Sequence, residues 1–289
     1  MARKALILTD KKIEQFIKDG RGQGEGAEYK PWLQIGDFSS QGRGHRIRDH
    51  ITGRIHHLFS DLEANYYHIL AWADAVIDIR EQYPLLPRDA TESIAEKLGY
   101  RHPKSPRSQE NEVMTTDFLI TVQDQVGKHL EARYVKYSSD LKKARVCEKL
   151  EIEKGYWEDK GIAFKVVTEE SFDQVKAKNI AKLLSYYDRP QLDNMGEEDL
   201  QEIAVAVLQT IPDNQFLLLK DFAAGIDLKF GLPPGSAMAM FFHIAAHKII
   251  PLQLDKRILG TQPLNEIIDW NKEIPTIISK GGLDYANYA

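Results

Sequence analysis

Cysteine is almost missing from this sequence: 289 residues contain one, Cys147. A single thiol cannot close an internal disulfide or build a Cys-rich zinc site, so a reduced cytoplasmic setting is expected. Long apolar runs are missing too. No stretch of 18 apolar residues occurs, which removes a membrane-spanning helix of the ordinary kind. Residues 1–12 carry no apolar segment of the signal-peptide type. No nucleophile elbow is present, so Ser/His/Asp hydrolase chemistry is not expected. The alternating Gly20, Gly22, Gly24 and Gly26 do not spell GxGxxG and follow no strand, which argues against a dinucleotide site. They read as a mobile loop, with Arg21 placed to touch a phosphate. What remains is a globular composition, 43% hydrophobic and 28% charged, on a chain long enough for two domains.

The net charge is −5, which by itself argues mildly against nucleic acid as a partner. The charge is unevenly spread, however. Residues 1–168 hold 27 Lys/Arg and 26 Asp/Glu, whereas residues 169–289 hold 11 and 17. Within the first part, residues 43–57 contain Arg43, Arg46, Arg48 and Arg54 with His45, His50, His56 and His57, against Asp49 as the one acid. Such a patch is either a solvated loop or a surface for a phosphate backbone. The acidic second part points to a protein-facing or simply solvated module.

Periodicity predicts a helix over residues 8–19, an extended stretch over 51–59 and a helix over 60–73 opened by the capping box Ser60-Asp61-Leu62-Glu63. Residues 76–83 alternate as a strand, with Asp78, Arg80 and Gln82 on one parity and Glu81 and Tyr83 on the other, ended by Pro84 and Pro87. A short helix over 91–98 and a polar loop over 101–112 follow. Strands are expected over 116–122 and 130–137, joined by a turn at Gly127, then a helix from Asp140 to Trp157 and a strand over 162–168. The second part reads as a helix to about Tyr186, a linker with Pro190, Asp193, Asn194 and Gly196, helices over 197–209, 216–226 and 236–247, and a small hairpin from 249–254 and 257–259. The expectation is a mixed α/β domain over 1–168 and a mainly helical, winged-helix-like domain over 169–289.

Three residues can carry chemistry together: Glu63, Asp117 and Lys136. Two carboxylates and a lysine across a sheet edge are what a metal-dependent nuclease needs. Mg²⁺ takes oxygen ligands and often only one or two carboxylates. It lowers the pKa of bound water and polarises a phosphate, while a lysine offsets charge growing on that phosphate. Each residue also has an ordinary reading. Glu63 can simply close the capping box, Asp117 can cap a turn, and Lys136 can be solvated. From composition and spacing a nuclease is one option among several. Adjacent His56 and His57 would point to opposite faces of a strand. His243 and His247 have i, i+4 spacing but lie in an apolar helix, where packing is the default, as it is for Cys147 in its helix.

A series of stretches carries more. Asp19-Gly-Arg-Gly-Gln-Gly, Tyr29-Lys-Pro-Trp-Leu, Gly42-Arg-Gly-His-Arg-Ile, Thr52-Gly-Arg-Ile-His-His-Leu-Phe-Ser-Asp-Leu-Glu, Asp78-Ile-Arg-Glu-Gln-Tyr-Pro-Leu-Leu-Pro and Met114-Thr-Thr-Asp-Phe-Leu run in order over about the first 165 residues. Together they resemble the TnsA family, the endonuclease subunits of heteromeric bacterial transposases. Resemblance in the C-terminal part rests mostly on length and helix order. The resemblance implies a type II restriction endonuclease-like fold, often written PD-(D/E)xK, for the N-terminal domain. It implies Mg²⁺, with Mn²⁺ as a substitute, held by Glu63, Asp117 and the backbone carbonyl of Val135, with Lys136 as the catalytic lysine. It implies cleavage of the 5′ strand at transposon ends, a separate DDE-type transposase subunit, an AAA+ regulator, and a nucleoid-associated location in a bacterium. Arg43, Arg46, Arg48 and Arg54 would form the DNA path into the site, and Arg80, Glu81 and Gln82 would line or buttress it, with a structural Arg80–Glu81 ion pair as the other reading. The sequence departs from the family pattern at Tyr134, two residues before the lysine, where an acid or amide is usual. That departure weakens a second metal position more than the first and leaves open a catalytically silent DNA-binding scaffold of the same assembly; an autonomous restriction-type nuclease is a further reading. A carboxylate engaged in the capping box is not expected to serve a metal as well, so the two roles for Glu63 compete.

Overall fold

The computed structural model describes residues 8–37, 43–105, 108–188, 192 and 195–275. Gly42 of the matching stretches, and Pro190, Asp193 and Asn194 of the expected linker, lie outside the described residues. The chain divides into two compact units, Met1–Phe172 and Asp173–Ala289.

The first unit is mixed α/β. Helix α1 (Asp10–Lys18) leads to a two-stranded antiparallel ribbon of β1 (His45–Arg48) and β2 (Ile55–Leu58). Helix α2 (Asp61–Trp72), strand β3 (Val76–Pro84), helix α3 (Arg88–Leu98), strands β4 (Thr115–Asp124) and β5 (Gly127–Val135), helix α4 (Ala144–Asp159) and strand β6 (Ala163–Val167) follow. The second sheet has the order β3-β4-β5-β6, with β6 parallel to β5 and the other pairs antiparallel. Strand β1 is not visible in the sequence, because Gly44, His45 and three arginines dilute any apolar alternation. Asp140 opens a single 3-10 turn, and the helix after it starts at Ala144.

Both faces of the four-stranded sheet are covered. Leu119 and Ala132 pack with Ile94 and Ala95 of α3 and Ile152, Tyr156 and Trp157 of α4. Their neighbours Phe118 and Arg133 face the other way, toward Tyr66 of α2: the Tyr66 and Phe118 rings lie 6.0 Å apart, and Arg133 Nε donates to Tyr66 Oη at 3.2 Å. Strict alternation would put Glu81 and Tyr83 on one face. They are on opposite faces. Glu81, paired with Phe118, bonds to residues of the ribbon, whereas Tyr83, paired with Thr116, has its ring 5.9 Å from that of Trp157 in α4. The switch falls between them, at Gln82 in β3 and Asp117 opposite it in β4. Gln82 has φ +48, a left-handed conformation rare for a side chain of this size. The N-terminal loop docks against this kink. Trp32 N donates to Gln82 O at 3.2 Å, Tyr29 Oη donates to Glu81 O at 3.0 Å, and Gly22 lies so close to Pro84 that a Cβ there would stand 2.2 Å from Pro84 Cγ.

The ribbon is tied to β3 by buried charge. Both Glu81 oxygens accept from Arg54, at 2.9 and 2.6 Å, and Arg54 Nη2 also donates to Ile79 O at 2.5 Å. His56 Nδ1 lies 2.8 Å from Glu81 Oε2, and Asp49 accepts from Thr52 N, Thr52 Oγ1 and Tyr67 Oη, each at 2.8 Å. Burial opposes charge on Glu81, but His56 and Arg54 outweigh it and bring its pKa down to about 2. Burial likewise opposes the imidazolium of His56, yet Asp49 and Glu81 raise its pKa.

The second unit is helical: α5 (Gln174–Leu184), α6 (Glu197–Thr210), α7 (Leu219–Phe230), α8 (Ser236–Ala246) and α9 (Leu264–Ile267). Helix α8 is apolar on nearly every side and packs among α5, α6 and α7. Asp227 of α7 caps its start, accepting from Gly235 N at 2.7 Å and Ala237 N at 2.8 Å. The expected hairpin of 249–254 with 257–259 does not form. Leu252 bridges to Ile268 instead, and Asn179 Nδ2 donates to the carbonyls of Leu254 and Lys256 at 2.8 and 2.7 Å, which holds that segment in a turn. His243 and His247 have packing roles, with ring nitrogens 3.0 and 3.2 Å from the carbonyls of Tyr186 and Tyr187.

Removing one partner of a buried ion pair typically costs about 3–5 kcal/mol. Glu81→Gln is therefore expected to lower stability by about that much, measured by urea unfolding at pH 7. Since Glu81 has a depressed pKa, its contribution is present above the ordinary carboxylate range and fades as pH falls toward 2. His56 has a raised pKa, so its contribution is complete below 6.5 and fades as pH rises through the raised value. An unfolding midpoint unchanged in Glu81→Gln would show that this cluster does not hold the ribbon.

Candidate active site

Glu63 is placed by the start of α2. Ser60 stands before the helix in extended conformation, and its Oγ accepts from Glu63 N at 3.1 Å. The Glu63 carboxylate returns to accept from Ser60 Oγ at 2.9 Å and Phe59 N at 3.0 Å. The capping box is thus formed, and it aims the carboxylate into the protein, where Glu63 is buried. A carboxylate has about four lone-pair positions, and Glu63 Oε2 also lies 3.5 Å from Gln82 Nε2.

Asp117 sits where β4 changes faces. Its Oδ2 accepts from Val135 N at 2.6 Å, so the end of β5 holds it in place of a regular ladder partner. Gln82 lies close enough to lower its pKa. Burial of its carboxyl and the nearby charge of Glu63 push its pKa up to about 8, against smaller lowering effects from Val135 N, Lys136 and Gln82. Burial raises the pKa of Glu63 too, with Phe59, Ser60 and Lys136 opposing. Lys136 follows β5 directly, is half-buried, and donates its backbone N–H to Val167 O at 2.9 Å. Its charge acts on both carboxylates. The structure thus brings Glu63, Asp117 and Lys136 to one place, from a helix start, a strand kink and a strand end. Tyr134 is half-buried beside them, and burial first, then Asp117 and Glu153, raise its phenol pKa.

Gln82, expected with Arg80 and Glu81 to line or buttress the site, lies beside Glu63, whereas Glu81 pairs with Arg54 and Arg80 with Asp78. Glu153 is the neighbour that sequence reasoning did not single out. Glu153 lies on the apolar face of α4, between Ile152 and Tyr156. It is fully enclosed, with Thr116 Oγ1 donating to Oε1 and Trp157 Nε1 donating to Thr116 Oγ1 at 2.8 Å. Burial, then the charge of Asp117, raise its pKa well above its ordinary value. A carboxylate on the apolar stripe of an amphipathic helix was the available signal. For Gln82 the left-handed backbone was not legible, because the alternation assigns it to an ordinary strand position.

The basic patch separates into two kinds of residue. Arg43, Arg46 and Arg48 are exposed, the last two on one face of β1. Arg54, expected on the same DNA path, is not available: its guanidinium is buried against Glu81 and Ile79 O. Arg21, expected to touch a phosphate, is likewise engaged internally. It pairs with Asp37 at 2.5 Å, donates to Trp32 O at 2.9 Å and lies 3.7 Å from the Phe16 ring centroid. His56 is buried and His57 half-buried, on alternate faces as expected for a strand.

Among the described residues no group of three or more His, Cys, Asp or Glu stands ready to hold a metal, which does not suit zinc. Two desolvated carboxylates, with the charge of Glu63 raising the pKa of Asp117, do suit Mg²⁺ or Mn²⁺, which need one or two carboxylates beside waters and phosphate oxygens.

Comparison with known proteins gives two family matches. Residues 73–169 match the TnsA-like endonuclease N-terminal family and residues 172–254 match the TnsA endonuclease C-terminal family. Asp117, Lys136 and Gln82 fall inside the first match, and Glu63 precedes it. The chain is 34% identical over 258 residues to the Transposon Tn7 transposition protein TnsA of Escherichia coli, covering 89% of this chain and 90% of that protein.

The raised pKa of Asp117 has a consequence for stability. Between its ordinary 3.8 and about 8, the folded state holds a proton that the unfolded chain releases, so stability falls as pH rises across that window. Asp117→Asn removes this loss. In EDTA at pH 8 its unfolding temperature is expected to exceed that of the unsubstituted protein, and the gap should narrow toward pH 5. A gap independent of pH would contradict the repulsion.

Proposed function

The chain belongs to the TnsA family of endonucleases, and on that footing we propose that it is a Mg²⁺-dependent DNA endonuclease that cuts the 5′ strand at transposon ends. As a family member it is the endonuclease subunit of a transposase. The cation, the strand and the partners are the further reading. The observation that carries it is the meeting of Glu63, Asp117 and Lys136, with the two carboxylates desolvated and in repulsion. We read the first unit as restriction endonuclease-like, on its mixed sheet with α2 on one face and α3 and α4 on the other. We read the second unit as winged-helix-like, on the packing of α6, α7 and α8.

In this reading Glu63, Asp117 and the Val135 carbonyl would hold the cation, and the chemistry it would supply is a more acidic bound water and a polarised phosphate. The capping box and Val135 N fix the carboxylates in advance, so little reorganisation accompanies binding. Lys136 offsets negative charge on the phosphate and orients the attacking water. Arg43, Arg46 and Arg48 track the DNA backbone. Tyr134 supplies no carboxylate or amide, which weakens a second cation position more than the first. A DDE-type transposase subunit cuts and joins the opposite strand, and an AAA+ regulator docks on the acidic second unit.

The test is a strand-resolved cleavage assay on transposon-end DNA, with Mg²⁺ or Mn²⁺, with and without the partner transposase. Nicking of the 5′ strand that needs the partner, and that falls at least 10³-fold in Glu63→Ala or Asp117→Ala, is expected on the order of metal-site losses. Partner-free double-strand cutting would indicate a restriction-type nuclease, and no cutting under any condition a silent scaffold. In the same system, changing Arg43, Arg46 and Arg48 to Ala is expected to flatten the salt dependence of DNA binding by about 0.9 per lost phosphate contact.

Deleting the chain after Phe172 is expected to abolish co-purification with the AAA+ regulator while Mn²⁺ binding persists. Full regulator binding by the shortened protein would place the docking surface in the first unit.

A further inference from the structure

The backbone of Gln82 is in a region that non-glycine residues seldom enter, and its side chain is buried. Strain of this kind is a pointer to function where it aims a chemical group. Here it aims an amide. Gln82 Nε2 donates to Glu63 Oε2 at 3.5 Å, Thr115 Oγ1 donates to Gln82 Oε1 at 3.4 Å, and the amide is near enough to Asp117 to act on its carboxyl. The turn at Gln82 is also the place where β3 changes faces opposite Asp117, so the kink and the aim of the amide are one feature. The docked N-terminal loop holds the kink through Trp32 N and the close contact of Gly22 with Pro84.

A primary amide has a donor end and an acceptor end of nearly the same shape. Without a cation, two close carboxylates need a donor between them, which Nε2 provides. With a cation, they need none, and a hard ion takes a further oxygen. Turning the amide end for end supplies that oxygen and gives Nε2 to the Thr115 hydroxyl, which accepts as well as donates. Tyr134 offers no comparable group from β5.

We propose that Gln82 is a third side-chain oxygen donor of the cation site, serving as hydrogen-bond donor to Glu63 and Asp117 when the cation is absent. The proposal rests on the reading of Glu63 and Asp117 as cation ligands. It is tested on the full chain by calorimetric titration with Mn²⁺ alone, without DNA. Gln82→Met keeps length and burial but has no polar end, and Gln82→Glu keeps an oxygen. The expected result is Mn²⁺ affinity at least tenfold weaker in Gln82→Met and equal or tighter in Gln82→Glu. Wild-type affinity in Gln82→Met, or equal weakening in both variants, overturns the proposal. If Gln82→Met does not fold by circular dichroism, the Gln82→Glu arm decides alone: retained or tighter binding supports an oxygen ligand, and weaker binding overturns it. Asp117→Asn separates the two levels. If it binds Mn²⁺ as well as the unsubstituted protein, the cation reading itself fails. If it does not, a negative result at Gln82 concerns Gln82 only.

Discussion

Two carboxylates that repel each other, Glu63 and Asp117, are held together inside the first unit, and much of its architecture serves to keep them there. Burial raises the pKa of each, and their proximity adds to the shift at Asp117. Such a pair is unfavourable unless something compensates. Three neutral donors do part of this: Phe59 N and Ser60 Oγ at Glu63, and Val135 N at Asp117. Lys136 adds a positive charge. The remaining imbalance is what a divalent cation would remove.

The kink at Gln82 and Asp117 makes the pair possible. In a regular sheet Asp117 would alternate between covered faces and meet only apolar neighbours from α3 and α4, or Tyr66 from α2. The change of faces opens the sheet there, so that the start of α2 reaches Asp117 from one side and Glu153 of α4 approaches it from the other. The N-terminal loop fits over the same kink. Its glycines are accordingly structural, and Arg21 is held by Asp37 within the unit.

A second buried charge cluster, Arg54–Glu81–His56, lies one residue from the kink and differs in kind. It opposes charges of both signs, Arg54 and His56 against Glu81 and Asp49, and the positive partners lower the pKa of Glu81. Its role is attachment of the ribbon to β3, and that attachment orients Arg46 and Arg48 outward. The basic patch thus divides by exposure: its buried arginine secures the scaffold, and its exposed ones remain free to meet phosphate.

The sequence by itself determined most elements of the first unit: α2 with its capping box, strand β3, the β4–β5 hairpin and the amphipathic α4. All are local, set by period, caps and turn residues. It also marked Glu63, Asp117 and Lys136, through resemblance more than through spacing. Strand β1 was not legible, and the expected hairpin after α8 was wrong, because Asn179, some 75 residues away in the chain, holds that segment in a turn. Nor could the sequence separate Arg54 from its neighbours, place Glu153 beside Asp117, or locate the change of faces at Gln82. Each of these depends on which distant groups meet and on how much water is excluded between them. Burial and the electrostatic coupling it strengthens exist only once the chain is packed, so the tertiary structure alone decided them.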